Sequence, residues 1–378
     1  MVSYSQVQCI GYVINTFPAR VTGGYGKQYL GKSAKPDIRQ RCHILREAIR
    51  IAEGSSELRK GNHVLKVFMA PEFFFHDKNG AYPIEHVSSI MENMREYTKQ
   101  FAFRDWIFVY GTAVAYLEEG SSKEVFNIAL VQRGGTEETG PDAALIVYKE
   151  FVSHVDFVRS PVLEGKIRCP NCNALVSHDT AGYEGWERTT RRRALIGGPT
   201  DSMSLLRPTE GSRDTLSRHE ERVGPGREQT ITGLGGQGAF TMHGVHFGLE
   251  VCLDHSRGRL RASPPPSGTP YPQIHLIPSG GMTIKDRAIA CQQWGIVFNV
   301  DAGHVAVTRN AGYYSTPRGE DRDVDARGND VAGSRNPLDT IAVNLAGVAP
   351  TWNSFFKNQG VIAIFPTLKI PAPEIRRT

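Results

Sequence analysis

No stretch of this chain approaches the roughly 20 consecutive apolar residues that a helix needs to cross a bilayer, so a helical membrane protein is excluded. Cysteine is scarce, with 6 in 378 residues, which rules out a disulfide scaffold and points to a reducing setting. Neither charge sign dominates. The 44 basic and 39 acidic side chains leave a net charge of +5, too little to call for a nucleic-acid partner. No repeat of fixed period occurs, so the solenoid classes fall away. Met1–Gln6 offers no basic region followed by an apolar core, and a cytoplasmic protein is expected. What is present is ordinary: 40% hydrophobic and 22% charged residues, enough to bury a sizeable core. The length suits one large domain spanning 1–378 with insertions.

The apolar pattern alternates between strand and helix. Residues 6–14 read as a first strand. From Pro36 to Glu53, Ile38, Cys42, Leu45, Ile49 and Ala52 recur at helical spacing, with Gly54 as the stop. Residues 64–70 form a second strand that ends at Pro71. Ile84, Val87, Met91, Met94, Tyr97 and Phe101 mark a second amphipathic helix. Strand-like runs follow at 106–115, 125–132 and 143–148. Strands that are apolar throughout suit sheets covered on both faces. Residues 165–235 are rich in Arg, Gly, Thr, Ser and Pro and read as an insertion between core elements. Strands resume around His243-Gly244, at 273–277, at 296–300 and at 358–366, with a helix expected over 284–293. The charged stretch 315–338 reads as an exposed polar loop.

Three of these strands end beside a chemically useful side chain. Pro71 cannot continue a central ladder, so Glu72 falls at a strand terminus, next to Phe73-Phe74-Phe75. Apolar surroundings suit a carboxylate that must take up a proton. Lys149 follows the run Leu145–Tyr148. Cys252 follows Phe247–Val251 and precedes the polar segment Leu253-Asp254-His255-Ser256-Arg257-Gly258, which suits a sharp turn. Such a turn presents the sulfur at the end of the sheet and aims the Leu253 backbone N–H at a developing oxyanion. A carboxylate, an ammonium and a thiol are costly to bury without partners. Together they supply a base, an electrophile stabiliser and a nucleophile for acyl transfer.

In this order, Ala70-Pro71-Glu72, Tyr148-Lys149 and Gly248-Leu249-Glu250-Val251-Cys252-Leu253-Asp254 resemble the glutamate, lysine and nucleophile motifs of the nitrilase superfamily of carbon–nitrogen hydrolases. Ile274–Ser279 and Arg287–Asn299 resemble the segments that follow. The resemblance covers about residues 5–160 and 238–367. It implies a four-layer α-β-β-α sandwich and a Glu72-Lys149-Cys252 triad. It also implies a small amide or nitrile substrate, a thioester intermediate, no metal or organic cofactor, and a homodimer or larger oligomer. The long separation of Lys149 from Cys252 departs from the family and reflects the 165–235 insertion. Many members carry a second glutamate shortly after the lysine. Asp156 is the best-placed substitute here, and Glu250 competes, because residues two apart on a strand share a face.

Cys169-Pro170-Asn171-Cys172 is half of a zinc site by spacing, with His178 as a third candidate ligand. Three ligands do not close a structural tetrahedron, and surface thiols are the simpler reading. Two other functions use the same residues differently. One is an acyltransferase that passes the thioester to an acceptor other than water. The other is a catalytically idle scaffold that binds through the insertion and its Arg191-Arg192-Arg193 strip.

Overall fold

The computed structural model describes residues 4–17, 19–20, 27–119, 122–138, 143–149, 238–256, 258–262, 267–310, 337–347 and 349–376. Two large sheets dominate it. Strands β1 (Gln6–Val13), β2 (Val64–Met69), β3 (Tyr82–Pro83), β4 (Trp106–Glu119), β5 (Ser122–Arg133) and β6 (Ala144–Tyr148) belong to the first. The second contains β7 (Ala239–Met242), β8 (Val245–Leu249), β9 (Ile274–Pro278), β10 (Ile296–Val300) and β11 (Val305–Arg309). Strands β12 (Asp339–Ala342), β13 (Val361–Ile364) and β14 (Leu368–Lys369) return to the first sheet. Its order is β12-β13-β1-β2-β4-β5-β6, with β14 on β1 and β3 on β4. The second runs β11-β10-β9-β8-β7. In each sheet the central strands are parallel and the outer ones antiparallel. Parallel strands need covered faces, and the burial patterns comply.

Alternation along the strands sends side chains to two different cores. Val7, Cys9, Leu65, Val67, Met69, Ile107 and Val109 of the first sheet meet Phe247, Leu249, Ile274, Leu276, Ile296 and Phe298 of the second. The intervening residues Ile10, Phe68, Phe108 and Tyr110 pack outward against helices. Those helices are α1 (Ala34–Glu53) and α2 (Val87–Thr98). Ile38, Cys42, Leu45, Ile49 and Ala52 of α1 are all buried, as their spacing predicts. Gly54 ends the helix by donating its N–H to the Arg50 carbonyl at 3.0 Å. Each fully buried aliphatic or Phe side chain contributes about 2 kcal/mol of burial free energy.

The outer face of the second sheet carries the fourth layer. Short turns build it: α3 (Leu253–Ser256), α4 (Arg259–Ala262) and a 3₁₀ turn at Asp286–Ala288. The helix expected over 284–293 is therefore only that one turn. Ile289 is extended (φ −60°, ψ 124°), and two backbone N–H groups of the segment donate to imidazole side chains rather than to helical carbonyls. Strands β11 and β12 were not expected from the sequence pattern. No helix among the described residues is long and apolar enough to cross a membrane. The 165–235 insertion lies outside the described residues, as does nearly all of the 315–338 loop.

Candidate active site

The chain leaves β2 at Met69 and turns sharply. Ala70 still donates to the Val109 carbonyl at 2.9 Å, but Pro71 has no N–H to give. Its carbonyl instead crosses Gly111, where a Cβ would stand 2.2 Å from the Pro71 oxygen. Gly111 also has φ +76°, so only glycine fits both the backbone and the close approach. The β4–β5 register shifts here, between Val109 and Thr112. The displaced Thr112 hydroxyl accepts the Phe73 N–H at 2.8 Å.

Glu72 sits at the centre of this turn. Its N–H reaches the second sheet at the Ser279 carbonyl, 3.2 Å away. Its own carbonyl accepts the Thr16 hydroxyl at 2.7 Å. Phe73 adopts φ 60°, a left-handed conformation that costs a bulky residue about 1–3 kcal/mol. The bonds on either side hold it there.

The Glu72 carboxylate is fully buried. Its Oε1 accepts from Lys149 Nζ at 2.8 Å and from Asn127 Nδ2 at 2.8 Å. Both donors come from the β5–β6 pair. Ile128 faces Tyr148 across that ladder, which places Asn127 opposite Lys149. The Lys149 N–H confirms this by donating to the Asn127 carbonyl at 2.8 Å. Lys149 is 2% exposed, and its ammonium stands 5.7 Å from the centre of the Phe73 ring.

Cys252 approaches from the second sheet. Strand β8 ends at Leu249, and the Cys252 N–H donates to the Pro278 carbonyl at 3.2 Å. Its φ of 48° makes it another left-handed non-glycine residue. Strain of this kind gathers at functional turns. Helix α3 starts at the next residue, so the Leu253 N–H belongs to a first helical turn, where backbone donors lack intrahelical acceptors. The Cys252 thiol points back between the sheets and lies 3.8 Å from the Gly280 carbonyl.

Gly280 is where thiol and carboxylate meet. A Cβ on Gly280 would stand 3.2 Å from Glu72 Oε2 and 3.0 Å from the Phe73 ring, while its carbonyl faces Cys252. The loop that carries it is anchored by Asp301. Oδ2 of Asp301 accepts from the Ser279 hydroxyl at 3.1 Å, from the Met282 N–H at 3.0 Å and from the Gly281 N–H.

Glu72, Lys149 and Cys252 are thus gathered between the two sheets. Glu250 is not with them, contrary to the shared-face expectation. The strand ends at Leu249 and the backbone turns before Cys252, so Glu250 projects to the outer face and meets His255 and His275. Asp156 and the candidate zinc ligands Cys169, Cys172 and His178 lie outside the described residues. Asn127 was not expected at the site, although an amide inside the apolar run Val125–Val131 is a visible signal. Thr112 and Asp301 were not expected either, and their roles depend on a bulge and a loop with no local signature.

No family model matches the chain, and no curated protein matches it. Solved structures do align with it. A glutamine-dependent NAD(+) synthetase from Cytophaga hutchinsonii aligns at 10% identity and TM-score 0.35, over 82% of this chain but 40% of its own. An amidase from Nesterenkonia sp. AN1 aligns at 10% identity and TM-score 0.33, over 85% of this chain and 90% of its own. Nit3 from Saccharomyces cerevisiae, a member of branch 10 of the nitrilase superfamily, aligns at 11% identity and TM-score 0.35, over 85% and 89%. This chain therefore spans well under half the length of the synthetase. Superpositions of this quality leave function to the side chains themselves.

Proposed function

We propose that the chain is a carbon–nitrogen hydrolase of the nitrilase superfamily, acting on a small amide through a Cys252 thioester. The observation that carries this reading is a single juxtaposition. A buried Glu72–Lys149 pair at 2.8 Å borders the same glycine as a buried thiol on a strained turn.

The cycle closes on these groups. Glu72 takes the proton from the Cys252 thiol, and the thiolate attacks the amide carbon. The carbonyl electron pair moves to oxygen, where Lys149 Nζ and the Leu253 N–H stabilise the oxyanion. The intermediate collapses and the C–N bond breaks. The leaving nitrogen takes the proton held by Glu72 and departs as ammonia or an amine. Glu72 then removes a proton from water, the hydroxide attacks the thioester, and the acid leaves as the sulfur is reprotonated. Asn127 keeps the Glu72 carboxylate oriented throughout. An amide is preferred over a nitrile because the one proton its leaving nitrogen needs is the one Glu72 has just taken from Cys252, whereas a nitrile nitrogen must gain three protons to leave as ammonia, two of them from water.

The test is intact-mass detection of an acyl adduct after incubation with a panel of amides and nitriles. Glu72→Gln serves as the variant that traps the thioester. The expected adduct maps to Cys252 and is absent from Cys252→Ala. No adduct across the panel, or an adduct on a different cysteine, would overturn the reading. Products that retain an added amine would reassign the chain to acyl transfer.

A further inference from the structure

Three buried polar side chains take no part in that cycle. Glu250, His255 and His275 are each 0% exposed, on the outward face of the second sheet. Glu250 Oε1 accepts the Leu260 N–H at 2.6 Å. Its Oε2 lies 3.1 Å from His255 Nδ1 and 3.0 Å from His275 Nε2. One carboxylate and two imidazoles, with ligand atoms within 4.8 Å of one another, are a donor set that metals favour.

The far nitrogen of each ring argues against a metal. The Lys285 N–H donates to His255 Nε2 at 2.9 Å, and the Ala290 N–H donates to His275 Nδ1 at 3.1 Å. A ring nitrogen that accepts a hydrogen bond carries no proton. Each neutral ring therefore holds its proton on the side that faces Glu250. A metal bound on that side would force the proton to the far nitrogen, straight against a backbone N–H. Metal-ligating histidines do the reverse and donate from the far nitrogen.

We propose that Glu250, His255 and His275 form a metal-free polar lock that holds the Cys252 turn in its reactive position. This role rests on the reading of Cys252 as the nucleophile. Glu250 precedes the cysteine and His255 follows it, so one carboxylate oxygen ties the two flanks of the turn together. His275 Nε2 approaches that oxygen to 3.0 Å from the neighbouring strand β9, and the Leu260 N–H fastens the carboxylate to α4. Each flanking backbone has a further anchor of its own: Glu250 N–H on the Leu276 carbonyl at 3.1 Å, and His255 N–H on the Cys252 carbonyl at 2.9 Å. A left-handed Cys252 persists only where its surroundings over-determine it, and the lock supplies that constraint. These are positioning residues: none touches the thiol.

Glu250→Gln is the decisive variant. The amide replaces one acceptor oxygen with a donor, which opposes either Leu260 N–H or the two imidazole protons. Iodoacetamide labelling, quantified cysteine by cysteine, reads the outcome without any substrate. In the parent, Cys252 should label faster than Cys9 or Cys42; if it does not, the reading of Cys252 as nucleophile fails first. Given a fast parent, labelling of Cys252 in Glu250→Gln should fall by about tenfold, while Cys9, Cys42 and Cys291 stay protected. An unchanged Cys252 rate would overturn the lock, and so would faster labelling of all four, which marks general loosening. His275→Gln keeps a donor toward Glu250 and should retain more of the rate than His275→Leu. Nitrogen NMR of the unmodified protein needs no variant. It should find neutral rings protonated at His255 Nδ1 and His275 Nε2, and the opposite tautomers would refute the assignment. Zinc added to the full chain provides the last arm: stoichiometric zinc that is lost on His275→Leu would make this a metal site instead.

Discussion

Two buried carboxylates lie on opposite faces of one strained turn, and they are solved differently. Glu72, between the sheets, is held by an ammonium and an amide, both on one oxygen. Glu250, on the outer face, is held by a backbone N–H and two imidazoles whose protons are fixed by other backbone groups. The inner arrangement pairs a full charge with a proton acceptor beside a thiol. The outer one ties its carboxylate and both rings to the backbone or to each other and faces no thiol. Chemistry needs the first kind of carboxylate and mechanical constraint the second. The contrast fits the roles proposed for the two clusters.

The largest effect should come from breaking the inner pair. Lys149→Ala removes the countercharge and leaves a buried carboxylate, at a cost of about 3–5 kcal/mol in stability. It also removes an oxyanion donor, which should lower kcat by about 10²–10³. The double variant Glu72→Gln with Lys149→Met removes both charges and should recover most of the stability but none of the turnover. Urea midpoints and turnover on whichever amide acylates the protein separate the two effects. Glu250→Gln leaves no uncompensated charge and should cost only about 1–3 kcal/mol. If Glu250→Gln proved the more destabilising, the contrast between the clusters would collapse.

Much of the inner site was legible beforehand, and little of the outer one. Glu72 and Cys252 announced themselves because a proline or a polar turn follows an apolar strand, and strand ends are where sheets present side chains. Lys149 was legible only through its place in the order of elements. Both long helices followed from periodicity, since burying one face fixes the residue pattern; the central strands were legible as apolar runs, and their sorting into two sheets was implied only by the resemblance. The outer layer did not. His255 and His275 stand twenty residues apart in sequence, and their meeting depends on the neighbouring of β8 and β9. The expected helix at 284–293 failed for the same reason. Its amides are drawn to those imidazoles, a long-range preference that local propensity does not carry.

Acid sharpens the comparison next. Burial alone would push Glu250 upward, but the bonds from His255 and His275 outweigh it and hold the carboxyl down at about 2, below its ordinary 4.5. A depressed carboxyl stabilises the fold above the unfolded value and loses that contribution as pH falls from 4.5 toward 2. Its full share is about 3 kcal/mol. Burial also lowers His255, against the pull of Glu250. The unfolded histidine binds its proton first, so stability starts to fall below pH 6.5 and the two losses add. Chemical denaturation from pH 7 to 3 should show this decline in the parent and a shallower one in Glu250→Gln. Parallel curves would separate the outer carboxylate from acid stability.

The smallest change tests the border between the two clusters. Gly280 has no left-handed backbone to protect, so alanine is conformationally allowed there. Its methyl would stand 3.0 Å from the Phe73 ring and 3.2 Å from Glu72 Oε2, tight contacts that side chains relieve by moving a few tenths of an ångström. Overpacking of this degree costs about 1 kcal/mol, so the fold should survive with a slightly lower urea midpoint. The inner carboxylate cannot yield as cheaply, because Lys149 and Asn127 both hold its other oxygen. Displacement of the base relative to the thiol should lower kcat by about tenfold. Iodoacetamide labelling of Cys252, whose turn is constrained from the opposite face, should change much less. Gly280→Ala should thus slow turnover more than it slows alkylation, whereas Glu250→Gln, which displaces the nucleophile itself, should slow both to a similar degree. Equal losses in both assays for Gly280→Ala as well would mean that the turn moves as one piece with its surroundings, and that the division between a chemical and a mechanical carboxylate is not real.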